Sequence, residues 1–381
     1  MTSRERVERA LRHQEPDRTP IFEYVLLPPL AERFLGRRTV DYAGDAEAWR
    51  AQAAAVGWER AVRSYVTDRL DVAGLLGHDM LYVCPNPPPP GALEPPRSAS
   101  PPPPPPDDPV ERIRRRVEEA ELADPRPHPD SLAVYATLAE EMRRRGLDLP
   151  VLAPAYAHGV WTDTDLMMCM ALDPPTAHAH FRAATRRALA SIDAYLALGV
   201  TQIGVGGDFA GNRTLISPES YREYIVPEVR TLARRIRDGG GWPVNASDGD
   251  LWPVIDDFLI GCEVDGYLEI EMRAGMDLKR LKERFGRLIT FYGNMDCGTI
   301  LSFWSPQEVR RVTRECLRDG WGEGGHIFCS SNAITSSVTL DRYLAMVSAY
   351  REFFDLEPLK GEAHGERQDG SHRARRRQVA R

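Results

Sequence analysis

The sequence predicts a (β/α)8 TIM barrel, the α/β architecture in which eight parallel strands alternate with helices and close on themselves. Three observations carry this expectation. Short apolar runs rich in β-branched and aromatic residues recur eight times along the chain. Between most of them lie stretches with helix-start signals. Strands separated by helices return in the same direction and pair in parallel, and eight such units close naturally into a barrel. A doubly wound open sheet is the runner-up, but no Gly-x-Gly-x-x-Gly follows the first strand.

In chain order, Thr2 and Glu5 have the spacing of a capping box, ahead of a helix that sets Val7, Ala10 and Leu11 on one face. "EPDRTP" ends it, and "IFEYV" (21–25) is the first strand, followed by a second at 79–84. Residues 85–109, "PNPPPPGALEPPRSASPPPPPPDDP", are too proline-rich for helix or central strand and read as a solvated polyproline II or disordered loop, with partner recognition as a second reading. Further strands are expected at 150–156, 201–206, 242–246, 264–270, 288–293 and 326–330. Asp173 before Pro174 and Ser217 before Pro218 each pair a capping oxygen with proline at the first helical position. Ser305, Pro306 and Glu308 add a capping box, and Gly286 reads as a helix stop. Residues 1–360 are expected to form a single barrel domain, and residues 361–381, ending "RARRRQVAR", a disordered polar and basic tail.

Lys and Arg number 49 against 56 Asp and Glu, a net charge of −7 that speaks against a nucleic-acid partner. The N-terminus has no apolar signal core and no stretch reaches the roughly 18 apolar residues of a membrane span, so the expectation is a cytoplasmic protein. Six widely spaced cysteines with no CxxC pair fit reduced, buried thiols, although Cys84 and Cys329 fall at strand ends.

A barrel of this type places its active site at the C-terminal ends of the strands, so the polar residues after each apolar run are the candidates. They are Glu23 and Tyr24; Asn86; Tyr156 and His158; Asp208; Asn245, Ser247 and Asp248; Glu269 and Glu271; Asn294 and Asp296; and Ser331 and Asn332. This carboxylate- and amide-rich rim could hold a hard cation, bind a polar substrate or carry protons. Ordinary roles compete: Asp208 in "GGDFAG" could turn the chain, Asp250 precedes a helical stretch "LWPVIDDFL" and reads as its cap, and His326 starts a strand at the far end of the barrel. The histidines form no HExxH, HxH or triad pattern.

Several stretches, "TSRERVERALRHQEPDRTP", "GGDFAGNRTLISPESYREYIVPEV", "SDGDLWPVIDDF", "AGMDLKRLKERFG", "YGNMDC" and "GGHIFCSSNAI", together resemble the uroporphyrinogen decarboxylase superfamily over nearly all of residues 2–355. The resemblance implies a (β/α)8 barrel with a deep cleft. True decarboxylases of this superfamily use no cofactor, hold substrate carboxylates with an arginine-rich N-terminal loop and contact the pyrrole nitrogens with an Asp. Here "FEYVLLPPLAERF" stands at that loop, Asn86 at the Asp, Asp208 at a Ser and Asn332 at a His. The chain is more similar to the cobalamin-linked methyltransferase branch. Some of its members bind zinc through His-x-Cys after the fifth strand and a Cys after the eighth, positions that fall here on Ala246, Asp248 and Asn332.

The resemblance therefore implies methyl transfer between a small methylated substrate and a corrinoid protein, with no covalently bound cofactor and zinc as the metal of some relatives. In this expectation Asp208 and Asp248 are catalytic, and Tyr24, Asn86, Tyr156, His158, Asn294, Asp296 and Asn332 bind substrate. A hard metal site would use Asp248, Glu269 and Glu271. Decarboxylation of uroporphyrinogen or another carboxylated substrate, and a non-catalytic ligand-binding barrel, are the alternatives.

Overall fold

A computed structural model describes residues 1–92, apart from 25 and 27, and residues 106–359. Val25 of the first expected strand, much of the proline-rich segment and the tail 361–381 lie outside the described residues. Seven parallel strands follow one another in chain order: β1 (Leu81–Tyr82), β2 (Val151–Pro154), β3 (Gln202–Gly206), β4 (Trp242–Ala246), β5 (Gly266–Leu268), β6 (Thr290–Tyr292) and β7 (His326–Ile327).

The first of the eight expected strands, 21–25, shows among its described residues only an isolated bridge. Ile21 pairs in parallel with Phe328, and on its other side its carbonyl accepts the Asp79 N–H at 2.7 Å. This brings the two edges of the curled sheet together. The ladder extends no further for a local reason: Pro20 has no N–H, and the Ile21 N–H donates to the Asp79 carboxylate (3.0 Å) instead of to a carbonyl.

The interior of the ring is filled by inward-pointing residues, among them Phe22, Met80, Tyr82, Leu152, Val244, Leu268, Tyr292 and Ile327. Large rings are accommodated where the facing strand carries glycine. A Cβ at Gly204 would lie 2.5 Å from the Tyr156 ring, and one at Gly266 would lie 2.8 Å from Tyr292. The Tyr292 hydroxyl donates to Gln202 Oε1 across the interior at 2.7 Å.

The helix Ser3–Leu11 closes the end of the barrel opposite the mouth. Its predicted capping box forms, and its Val7, Ala10 and Leu11 pack into the ring interior. The Ala10 carbonyl accepts the Gly325 N–H at 2.8 Å. Fully buried Asp79 ties this plug to the ring through ion pairs to Arg6 and Arg18, both 2.6 Å, and a hydrogen bond from Ser3.

The caps at Asp173, Ser217 and Ser305 form as expected. Two local expectations are corrected and a third holds. Asp108 caps a helix beginning at Pro109, because proline is tolerated at the first helical position, so the proline-rich segment ends earlier than 109. "LWPVIDDFL" forms a 3₁₀ turn at Trp252–Val254 and a π turn at Asp257–Gly261 rather than a regular helix, although the Asp250 carboxylate does accept the Trp252 N–H at 3.0 Å. Gly286 ends its helix as expected, in the right-handed region, where a Cβ would lie 2.5 Å from the Lys282 carbonyl.

Candidate active site

Four strand ends converge at the barrel mouth. Asp208 lies two residues past β3, Asp248 two past β4, Glu269 directly after β5 and Tyr156 two past β2. Carboxylate oxygens of Asp208, Asp248 and Glu269 lie within 4.8 Å of one another. Beside them is a pocket of ≈ 370 Å³ lined by Tyr24, Tyr156, Ala157, Gly159, Gly207, Asp208, Ala246 and Glu269.

Backbone geometry aims these groups. Gly206 and Gly207 have φ of +80° and +137°, which turns the chain after β3 so that Asp208 Oδ1 accepts the Asp248 N–H at 3.2 Å. Gly249, with φ of +95°, lets the loop after β4 approach its neighbour closely, since a Cβ there would sit 2.5 Å from the Gly211 carbonyl. Asn332 donates its amide N–H to Asp248 Oδ2 at 2.7 Å and accepts the Ala333 N–H with its oxygen. Glu269 has φ of +72°, an uncommon conformation for a side-chain-bearing residue.

The carboxylates perturb one another. Burial pushes Asp248 up to about 7, with repulsion from Asp208 and Glu271 adding to the rise and the Asn332 hydrogen bond opposing it. Glu269 is raised well above the ordinary carboxylate range by burial and by the charges of Asp248 and Asp208. Burial also raises Asp208. Among the described residues none of these three, nor Glu271, forms an ion pair with arginine or lysine, so the like charges are uncompensated.

The structure brings Tyr24, Tyr156, Asp208, Asp248, Glu269 and Asn332 together and places the other candidates elsewhere. His158 is buried against the helix Pro174–Ala197, its Nε2 2.9 Å from Thr185 Oγ1 and its ring stacked on Phe181; burial lowers its pKa to about 3. Asn86 bonds to the Asp130 carbonyl and the Val134 N–H and fastens that segment to the barrel. Asp296 caps a short helix through the Thr299 and Ile300 N–H groups. Asn294 is buried with its amide near the Met276 carbonyl. Glu271 accepts the Gly249 N–H at 2.9 Å, and Asp208 takes the place expected for it in the carboxylate triple.

Glu23, a rim candidate that received no catalytic, binding or metal role from the sequence, is a buried carboxyl. Burial pushes it up to about 7; Ser330 Oγ lies 2.6 Å from Glu23 Oε2 and 2.7 Å from the Asn332 carbonyl. Its signal was a carboxylate in the middle of the apolar run "IFEYV".

Residues 150–353, from the start of β2 to the last helix of the barrel, match the uroporphyrinogen decarboxylase (URO-D) family. The chain belongs to the uroporphyrinogen decarboxylase family. A methylated-thiol–coenzyme M methyltransferase of Methanosarcina mazei is 25% identical over 210 residues, 52% of this chain and 50% of that protein. The chain thus matches about half the length of this curated relative. A solved methyltransferase structure from Methanosarcina mazei covers 93% of this chain and 99% of its own at a TM-score of 0.65 and 16% identity, which shows the TIM-barrel fold.

The zinc set implied by resemblance to some members does not fit this URO-D family chain. Ala246 offers a methyl group, and both ends of the Asn332 amide are hydrogen-bonded within the protein. What remains is an all-oxygen set, Asp208, Asp248 and Glu269, whose atoms are close enough to share one positive charge.

Proposed function

We propose that this URO-D family protein is a methyltransferase that passes a methyl group from a small methylated substrate to a corrinoid protein. The observation that carries the reading is the uncompensated carboxylate triple at the mouth, beside a pocket with no arginine or lysine in its lining. Such a site stabilises a heteroatom while it bears positive charge, as the atom that releases a methyl group does when it is protonated or alkylated. The similarity to a methylated-thiol–coenzyme M methyltransferase supports the same chemistry.

In this reading Asp208 and Asp248 face the heteroatom that carries the methyl group, and Asn332 fixes the Asp248 carboxylate. Tyr24 and Tyr156 wall the pocket and keep water from the methyl carbon. Residues 1–360 act as one barrel unit. Among the described residues no helix is long and apolar enough to cross a membrane, and six free cysteines support a reducing, cytoplasmic setting.

Decarboxylation of a multiply carboxylated substrate draws no support from the pocket, because fixed cations are what hold such substrates and the lining has none. The test is to incubate the protein with a reduced corrinoid protein and a panel of methoxylated, thiomethylated and N-methylated compounds, and to follow demethylated product by mass spectrometry. Demethylation of a panel member is expected. Absence of product across the panel, or CO2 release from a carboxylated substrate in its place, would remove the reading.

A further inference from the structure

We propose that the mouth pocket takes a methylated ammonium group, an organic cation whose N-methyl carbon is the group transferred; this rests on the methyl-transfer reading above. The first reason is charge. Asp208, Asp248 and Glu269 crowd their oxygens within 4.8 Å with no basic partner among the described residues. A cation beside them relieves their mutual repulsion.

The second reason is the wall. Tyr24 and Tyr156 line the pocket together with Asp208 and Glu269, and the Tyr24 ring lies 4.2 Å from that of Tyr82, so aromatic residues stand beside the carboxylates. The Tyr156 ring packs over Gly204 with its hydroxyl buried inside the ring of strands, so the residue meets the pocket as aromatic wall. Aromatic faces combined with carboxylates favour alkylammonium ions, whose charge is spread over methyl groups and whose surface makes no hydrogen bonds.

The third reason is what the pocket lacks and how large it is. Among its lining residues, the N–H groups of Ala157 and Gly207 already donate to the Gly206 and Ala246 carbonyls, so they do not offer themselves to an anion. The ≈ 370 Å³ of the pocket suits a small organic ion, far exceeding the space of a bare metal ion.

The chemistry closes without a metal or an added proton. A nucleophile attacks the methyl carbon, the C–N bond breaks with its electron pair passing to nitrogen, and a neutral tertiary amine leaves. The nucleophile is a cobalt(I) corrinoid, which supplies both electrons of the new bond and is thereby oxidised by two electrons. An ether or thiol substrate would need its leaving atom protonated or metal-bound, and a quaternary nitrogen carries that positive charge already. The misfit of the zinc set is then no handicap.

Binding is measured calorimetrically on the full chain without any corrinoid. Tetramethylammonium and choline are compared with 3,3-dimethylbutan-1-ol, the uncharged isostere of choline. The cations are expected to bind at least about tenfold more tightly than the isostere. Glu269→Gln and Tyr24→Leu should each weaken choline by about tenfold, and Tyr24→Phe should retain most of the affinity. Equal binding of choline and its isostere, no binding of either cation, or exclusion of choline by stoichiometric Zn2+ or Mg2+ would overturn the proposal. Cation binding without demethylation of any panel compound would sink the methyl-transfer reading, whereas O- or S-demethylation without cation binding, or without any N-demethylation, would sink the ammonium proposal and leave that reading standing.

Discussion

Asp248→Asn should make the protein more stable, increasingly so as the pH rises. Folding lifts the Asp248 carboxyl from its ordinary 3.8 to about 7, through burial first and then repulsion by Asp208 and Glu271. Below about pH 4 both folded and unfolded chains hold the proton and the group contributes nothing. Between about 4 and 7 the unfolded carboxyl ionises while the folded one keeps its proton, so stability falls with rising pH. Above 7 the charge sits in the folded site at its full cost, about 4 kcal/mol for a rise of this size. The amide has the same shape and can still accept the Asn332 N–H, so the variant removes the charge and keeps the contact. Urea denaturation of both proteins at several pH values from 4.5 to 8 reads the difference directly. That difference should grow from about 1 kcal/mol at pH 4.5 towards about 4 kcal/mol at pH 8. Glu23, also lifted to about 7, and the buried histidines titrate in both proteins and cancel in the comparison. A difference that stays flat across the series, or a variant less stable than the parent at pH 8, would refute the reasoning.

Three further outcomes are expected. Asp79→Asn leaves Arg6 and Arg18 without their shared buried counter-charge and should lower stability by about 3–5 kcal/mol in urea denaturation. Gly204→Ala drives a methyl into the Tyr156 ring and should cost about 1–3 kcal/mol, with Tyr156→Leu in the same chain recovering much of the loss in thermal melting. Asn86→Ala breaks hydrogen bonds to the 130–134 segment and should cost about 1–3 kcal/mol while leaving choline affinity unchanged in calorimetry.

What could be read in the sequence was what depends on near neighbours in the chain. The capping box of Thr2 and Glu5 and the proline starts at 174, 218 and 306 are local, and they form where expected. Strand positions followed from apolar runs, and strand ends led to Asp208, Asp248 and Glu269. The errors arose where direction depends on the third dimension. Glu269 and Glu271 are both expected in a hard metal site, but the backbone takes a positive φ at Glu269, and Glu271 accepts the Gly249 N–H. His158 and Asn86 follow strands as the mouth residues do, yet both face the surrounding helices and loops, a choice that apolar patterning around them did not record.

The plug formed by the helix Ser3–Leu11 has a kinetic consequence. With one end of the ring stoppered and the middle filled by side chains, substrate and product share a single door, and in the proposed reading a corrinoid protein would present its cobalt at that same door. Substrate would have to board before the partner docks, and the demethylated product would wait until the partner lifts away. Steady-state kinetics should then follow a compulsory order, with excess corrinoid protein trapping the empty barrel as a dead-end complex and slowing turnover. The stopper at the bottom would thus set the timetable at the top.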